Sequence, residues 1–209
     1  MICDDDLNYV VLGQRLIDKY SRDFCSRDVS WLWLDSQGKC MYCTAERVAY
    51  HNFVAGFLPP ESAIYKNPFR EWIGAQIRGD YFGYINPGNP ELAAEMAHRD
   101  ACISHVKNGI YGEMFVAAML AAAACTDDFE AVVSCGLAQI PCTSRLHEAV
   151  TDVLNGYRNG TRRPLGMPVF SFSAMPLPSV SCVTSKSSSS QSLDWPTGRG
   201  RTMEMMGWG

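Results

Sequence analysis

The sequence predicts an all-α protein: a compact orthogonal bundle of helices over residues 1–158, followed by an irregular, poorly ordered tail over 159–209. Three observations lead there. Apolar residues recur every three or four positions through most of the chain, the spacing of one helix face. Capping residues precede these runs and Gly or Pro follows them, again and again. No stretch alternates apolar and polar residues convincingly enough to mark a strand.

The first predicted helix follows the acidic triplet Asp4, Asp5 and Asp6, with Tyr9, Leu12, Leu16 and Tyr20 on one face. A short apolar piece, Val29 to Leu34, places Trp31 and Trp33 in the expected core. Thr44 is the expected N-cap of a helix through Ala45, Val48, Ala49 and Phe53, stopped by Gly56 and Pro59-Pro60. Asn89 caps another, with Pro90 at its first helical position. Behind it Ala93, Ala97 and Ala101 repeat every four residues, which invites close approach of a second helix, while Leu92, Met96 and Ile103 supply neighbouring bulk. Asn108-Gly109 is the expected stop. The next helix, Tyr111 to Cys125, is small and apolar nearly all round and belongs at the centre of the bundle. Asp127-Asp128-Phe129-Glu130 opens a further helix with acids favoured by the helix dipole. Thr143-Ser144 starts the last, which carries Leu146, Val150, Val153, Leu154 and Tyr157 and is closed by Gly156. From about Thr161 onward come five prolines, a Ser-rich tract and a Gly/Arg/Met-rich end, and the helical period disappears.

Composition narrows the function. At 209 residues, 47% apolar and 19% charged, the chain can bury a sizeable core and reads as one large domain. A net charge of −4 and the lack of a basic stripe with interleaved aromatics exclude a nucleic-acid partner. The longest apolar run, Met114 to Cys125, falls short of the roughly 20 residues a membrane span takes, so no membrane partner is expected. The first residues lack a basic n-region and an apolar h-region, and nine cysteines fit reduced, mostly buried thiols. A cytoplasmic location is therefore expected. Cys40 and Cys43 form a C-x-x-C with no second pair, too little for a zinc site. Nothing in the sequence speaks to oligomeric state.

The chemistry concentrates in residues 73 to 124. Two glycine-punctuated loops open helices there: Ile73 through Gly83, and Ser104-His105 through Asn108-Gly109-Ile110-Tyr111-Gly112. Backbone can approach a ligand closely at such glycines, and helix N-termini favour anions such as phosphate, which suggests a nucleotide-like ligand between helices. Asp4, Asp5 and Asp6 are either solvated acids at the positive end of a helix or a hard-cation site, since Mg²⁺ takes oxygen ligands. His105 is a core histidine or a donor facing a ligand. Arg78 and Asp80 either pair with each other or both face a ligand. Glu46 and Arg47, in a first helical turn, read as structural, and Glu113 as an acid near a helix start. No Ser-His-Asp spacing, P-loop or dinucleotide fingerprint is present.

Taken in order, these segments resemble the ADP-ribosylglycohydrolase family of all-helical hydrolases with a two-metal centre. Asp4-Asp5-Asp6-Leu7-Asn8-Tyr9 resembles the first metal motif, usually Thr-Asp-Asp-Thr, in an Asp-Asp-Asp-Leu variant found in some bacterial members. Thr44 to Tyr50 with Pro59-Pro60-Glu61-Ser62 resembles the linking helix and loop of those members. Ile73 to Gly88 is similar to the glycine-rich loop along ADP-ribose, and Asp100 to Phe115 to the Thr-His loop and central helix. The similarity runs through about residues 4 to 157. It implies that Asp5 and Asp6 ligate the metal pair and act in catalysis, with Asp4 where the family usually has Thr, so that Asp4, Asp5 and Asp6 make up the metal set. It implies Mg²⁺ as cofactor, ADP-ribose or an ADP-ribosylated substrate as partner, and hydrolysis of the glycosidic bond at the anomeric carbon. Gly74, Ala75, Gln76, Arg78, Asp80, His105, Asn108, Gly109, Tyr111 and Gly112 would line the nucleotide cleft.

Two departures shape the expectation. Family members carry a Gly-Asp-Ala-Leu-Gly-type helix before the acidic motif and an Asp-Thr-Asp motif late in the chain, and neither is found here; after residue 158 only Asp194 and Glu204 supply carboxylates. The chain is therefore expected to be a fragment, weakly active at best, with a tail from about Thr161 translated in a shifted frame. The alternative function is a non-catalytic ADP-ribose-binding or structural member of the same fold, as the lens J-crystallins are. With no family input, a generic helical interaction domain remains.

Overall fold

The computed structural model describes residues 4–160. Among them nine α-helices follow in order, with no strand: α1 (Asp5–Tyr20), α2 (Ser26–Ser36), α3 (Thr44–Val54), α4 (Glu61–Ile64), α5 (Gly79–Tyr84), α6 (Pro90–Ala101), α7 (Asn108–Ala123), α8 (Phe129–Leu137) and α9 (Arg145–Arg158). Two 3-10 turns, Lys39–Met41 and Ile73–Arg78, lie before α3 and α5. The all-α class expected from periodicity is the one observed. The expected irregular tail lies almost wholly outside the described residues. Among those residues no helix is long and apolar enough to cross a membrane.

Helix α7 is the axis, and α5, α6, α8, α9 and the Ile73–Arg78 turn all pack on it. Its small residues make this possible: Ala117, Ala118 and Ala121 are fully buried. From α6, Ala93, Ala97 and Ala101 meet it with no exposed surface, as their four-residue spacing predicts. From α5 the approach is through Gly83, where an added Cβ would stand 2.5 Å from Leu120 Cβ and 3.0 Å from the Ala117 carbonyl oxygen. From α8 it is through Gly136, whose Cβ would stand 2.7 Å from Met119 Cγ. Bulk at any of these points would separate the backbones and forfeit close packing.

Helix α1 turns Tyr9, Leu12 and Leu16 inward and seats Gly13 against the Tyr81 ring. Asp4 caps it, its side chain accepting the Leu7 N–H at 3.2 Å. Below α1, Trp33 stacks on Tyr42 with ring centroids 4.4 Å apart, and Tyr9 packs beside Trp33 at 5.8 Å.

Four local expectations are corrected. Trp31 is 50% exposed, because two residues of helix separate it from buried Trp33 and place it on the opposite side. The N-cap of α3 is Cys43; Thr44 is its first helical residue and makes no capping bond. Asn108-Gly109 begins α7 instead of ending α6, which stops at Ala101. Asn108 is held there by accepting the Leu146 N–H at 3.1 Å, a tertiary tie to α9. Gly156 lies inside α9, which continues to Arg158, where an ion pair to Glu130 at 2.7 Å and contact between Tyr157 and Phe129 hold the last turn.

Candidate functional site

The start of α1 packs on the Ile73–Arg78 turn and on α5. Helical spacing decides where its acids go. Asp5 precedes Tyr9 by four residues and shares its inward side; Asp6 precedes Gly13 by seven and shares the side that meets α5. Both stay exposed at the rim. Their charges are felt by neighbours: Asp5 adds to the upward push on Glu46, and Asp6 to that on Asp80, in each case after burial as the larger cause.

Beneath this rim lies a buried ionic cluster centred on Arg78, which is 3% exposed. Its Nε donates to Asp100 Oδ2 at 2.5 Å, and its Nη2 to the Asp100 carbonyl at 3.1 Å and to Glu113 Oε2 at 3.4 Å. Its Nη1 donates to Ser104 Oγ at 2.9 Å and to Glu46 Oε1 at 3.4 Å. The guanidinium carbon also lies 5.1 Å from the Trp33 ring centroid. A cavity of about 10 Å³, room for about one water, borders Arg78 and Asp100 under α1.

Three acids surround one cation, and the protonation follows. Burial pushes Glu46 up, with Arg78 opposing. Burial and then Asp100 push Glu113 well above the usual range. Burial alone would depress Arg78, but Asp100, Glu113 and Glu46 together hold it charged and raise it. Because Arg78 only donates, Ser104 Oγ accepts from it, and the same hydroxyl is hydrogen-bonded with His105 Nδ1, 2.8 Å away. Burial followed by Arg78 lowers the His105 pKa well below 6.5, which keeps the imidazole neutral, with Nδ1 toward Ser104 and Nε2 toward Glu46. That Nε2 has no hydrogen-bond partner and stands 3.9 Å from Glu46 Oε1.

The structure places the other expected cleft residues in the same region, against one another. A Cβ on Gly74 would collide with Glu46 Oε1, one on Gly112 would lie 2.5 Å from Gln76 Nε2, and one on Gly109 would lie 2.8 Å from both the Arg70 carbonyl and the His105 ring. The glycines therefore admit protein atoms at these points. Ala75 is fully buried and Gln76 and Tyr111 half-buried. Asn108 ties Glu71 and Leu146 together. Arg78 and Asp80 do not pair: Arg78 points into the core and the half-buried Asp80 faces Asp6.

Sequence reasoning passed over Glu46, Asp100 and Glu113 as members of the cluster, and a signal was there. Each sits on a helix face that is otherwise apolar: Glu46 with Ala49 and Phe53, Asp100 with Ala93, Met96 and Ala97, Glu113 within the alanine-rich α7. Acids on core faces demand a buried cation, and Arg78 supplies it.

The donor chemistry at the α1 rim suits a hard cation, since Asp4, Asp5, Asp6 and Asp80 offer oxygen alone. Among the described residues, however, no group of three or more His, Cys, Asp or Glu is placed to hold a metal ion. Asp4 is moreover engaged as the cap of α1.

An all-α bundle with a glycine-rich turn laid on a central alanine helix, and acids at its rim, defines the class. The chain belongs to the ADP-ribosylglycohydrolase family, whose model matches residues 4–187. Members of this family are all-α hydrolases, generally metal-dependent, that act on ADP-ribosylated substrates. The match continues past residue 157, where the resemblance legible in the residues ends, into the first part of the stretch expected to be frame-shifted. No curated protein and no solved structure matches the chain.

Proposed function

We propose that this chain is built for Mg²⁺-dependent hydrolysis of the glycosidic bond in an ADP-ribosylated substrate. Asp5 and Asp6 are the proposed metal-facing and catalytic acids. The observation that supports this reading is that Asp5 and Asp6 lie within the family match and that their charges act on Glu46 and Asp80 respectively. Magnesium suits acids that offer only oxygen.

The chain's own groups would then do three things. The Ile73–Arg78 turn, anchored from below by Arg78, would bear the ADP-ribose. Asp6 and the half-buried Asp80 would set a strongly negative potential at the open edge, favouring a cation there. Asp80, whose carboxyl is pushed up by burial and then by Asp6, would hold or release a proton at that edge.

Calorimetric titration of ADP-ribose with and without Mg²⁺, paired with a release assay on ADP-ribosylated protein, tests this. Metal-dependent binding with turnover that Asp5→Asn abolishes is the expected result. Turnover unchanged in Asp5→Asn refutes the assignment. Metal-independent binding without turnover would make the chain a binding member of the family instead.

A further inference from the structure

The Arg78 cluster holds one more buried acid than the rim chemistry uses. Glu113 is fully buried, its Oε2 accepts from Arg78 at 3.4 Å, and its Oε1 has no hydrogen-bond partner in the protein. Asp100 accepts from the same guanidinium, through Oδ2 on Nε. Two carboxylates that close, enclosed and already sharing one guanidinium, settle by keeping a hydrogen between them. The same residue also meets the first residue of α5, directly after the turn: a Cβ on Gly79 would stand 3.0 Å from the Glu113 carbonyl and 3.4 Å from its Cγ. Its neighbour Gly112 seats the Gln76 side chain. Glu113 and Gly112 thus dock both the middle and the end of the Ile73–Arg78 turn.

We infer that Glu113 is a positioning residue that, as a neutral acid donating its hydrogen to Asp100, holds Arg78 and the Ile73–Arg78 turn in the geometry that receives ADP-ribose. This deepens the proposed function and depends on it for the ligand. The groups that face Glu113 are Arg78 from the turn, Asp100 from α6, Cys102 just after α6 and Glu46 from α3. Asp100 and Glu46 oppose its ionisation and Arg78 favours it, with burial the largest influence, against ionisation.

The linkage sign follows. A carboxyl raised in the folded state binds more protons folded than unfolded between its ordinary and its raised pKa. Its contribution is complete below the ordinary value and is lost as pH climbs through the raised one. The turn should therefore loosen on the alkaline side.

Glu113→Gln keeps the shape and an N–H donor for Asp100 but cannot ionise. Two readouts apply from about pH 6 to about pH 9. The first is ADP-ribose affinity. The second needs no ligand: hydrogen exchange of the amides of 73–79, corrected for its intrinsic pH dependence. Wild type is expected to lose affinity and turn protection as pH rises. Glu113→Gln should match wild type within about twofold near neutrality and flatten both profiles, and Glu113→Ala should weaken binding about tenfold or more throughout. Glutamine as damaging as alanine at neutral pH, or an unflattened profile, overturns the inference. If ADP-ribose fails to bind any variant, the ligand reading has failed, and the exchange profile alone decides the role of Glu113.

Discussion

Replacing Arg78 with methionine removes the one cation the core acids share, and the structure sets the scale of the effect. Five acceptor atoms lose a donor: Asp100 Oδ2, Ser104 Oγ, Glu46 Oε1, Glu113 Oε2 and the Asp100 carbonyl, which keeps the Ile103 N–H. Removing one partner of a buried ion pair costs about 3–5 kcal/mol, because the remaining charge stays buried without compensation. Asp100 and Glu46 remain here beside a Glu113 that keeps its hydrogen, so a loss of about 3–5 kcal/mol is expected near neutral pH, a large share of the roughly 5–15 kcal/mol typical of a domain. The loss should shrink in acid. Burial pushes Glu46 and Glu113 up while Arg78 holds them down, so without Arg78 both take up protons more readily and the buried negative charge fades as pH falls. Urea unfolding followed by tryptophan fluorescence suits the measurement, since the Trp33 ring lies 5.1 Å from the guanidinium carbon. From about pH 8 to about pH 5 the penalty should fall, with Arg78→Lys intermediate because lysine keeps the charge without the fork. A neutral-pH loss below about 1 kcal/mol, or one independent of pH, would show that the cluster does not bear on stability in this way.

Three further outcomes are expected. Gly83→Ala forces a Cβ to within 2.5 Å of Leu120 Cβ, so thermal unfolding should show a destabilisation of about 1–3 kcal/mol. Gly156→Ala, which meets nothing within 4 Å, should stabilise α9 by about 0.5–1 kcal/mol, and similar effects at both sites would contradict the packing described for α5 on α7. At the start of α1, Asp4→Ala should cost about 0.5–2 kcal/mol while Asp4→Ser, which can still accept the Leu7 N–H, costs little; equal losses in urea unfolding would rule out the capping role.

Much of the bundle was legible in local signals. Asn89 with Pro90, Asp128 before Phe129 and Ser144 before Arg145 mark real helix starts, because capping is satisfied within a few residues of chain. The alanine spacing of α6 and the apolar circumference of α7 announced their packing for the same reason: the pattern lies within one helix. Misreadings fell where a distant partner decides the conformation. Asn108-Gly109 has the composition of a stop, yet the Leu146 N–H and the Arg70 carbonyl, both remote in sequence, make it a start.

The candidate site divides along the same line. By itself the sequence determined the acids at Asp4 to Asp6, the glycine turn and the family that joins them, since each is a contiguous motif. Only the tertiary structure decided that Arg78 faces inward to Asp100, Glu46 and Glu113, that His105 is buried against Ser104, and that Gly74 and Gly112 make room for Glu46 and Gln76. Three helices and a turn must meet before those charges can meet. Electrostatic partnership depends on distance through space, and a chain read residue by residue records only distance along itself.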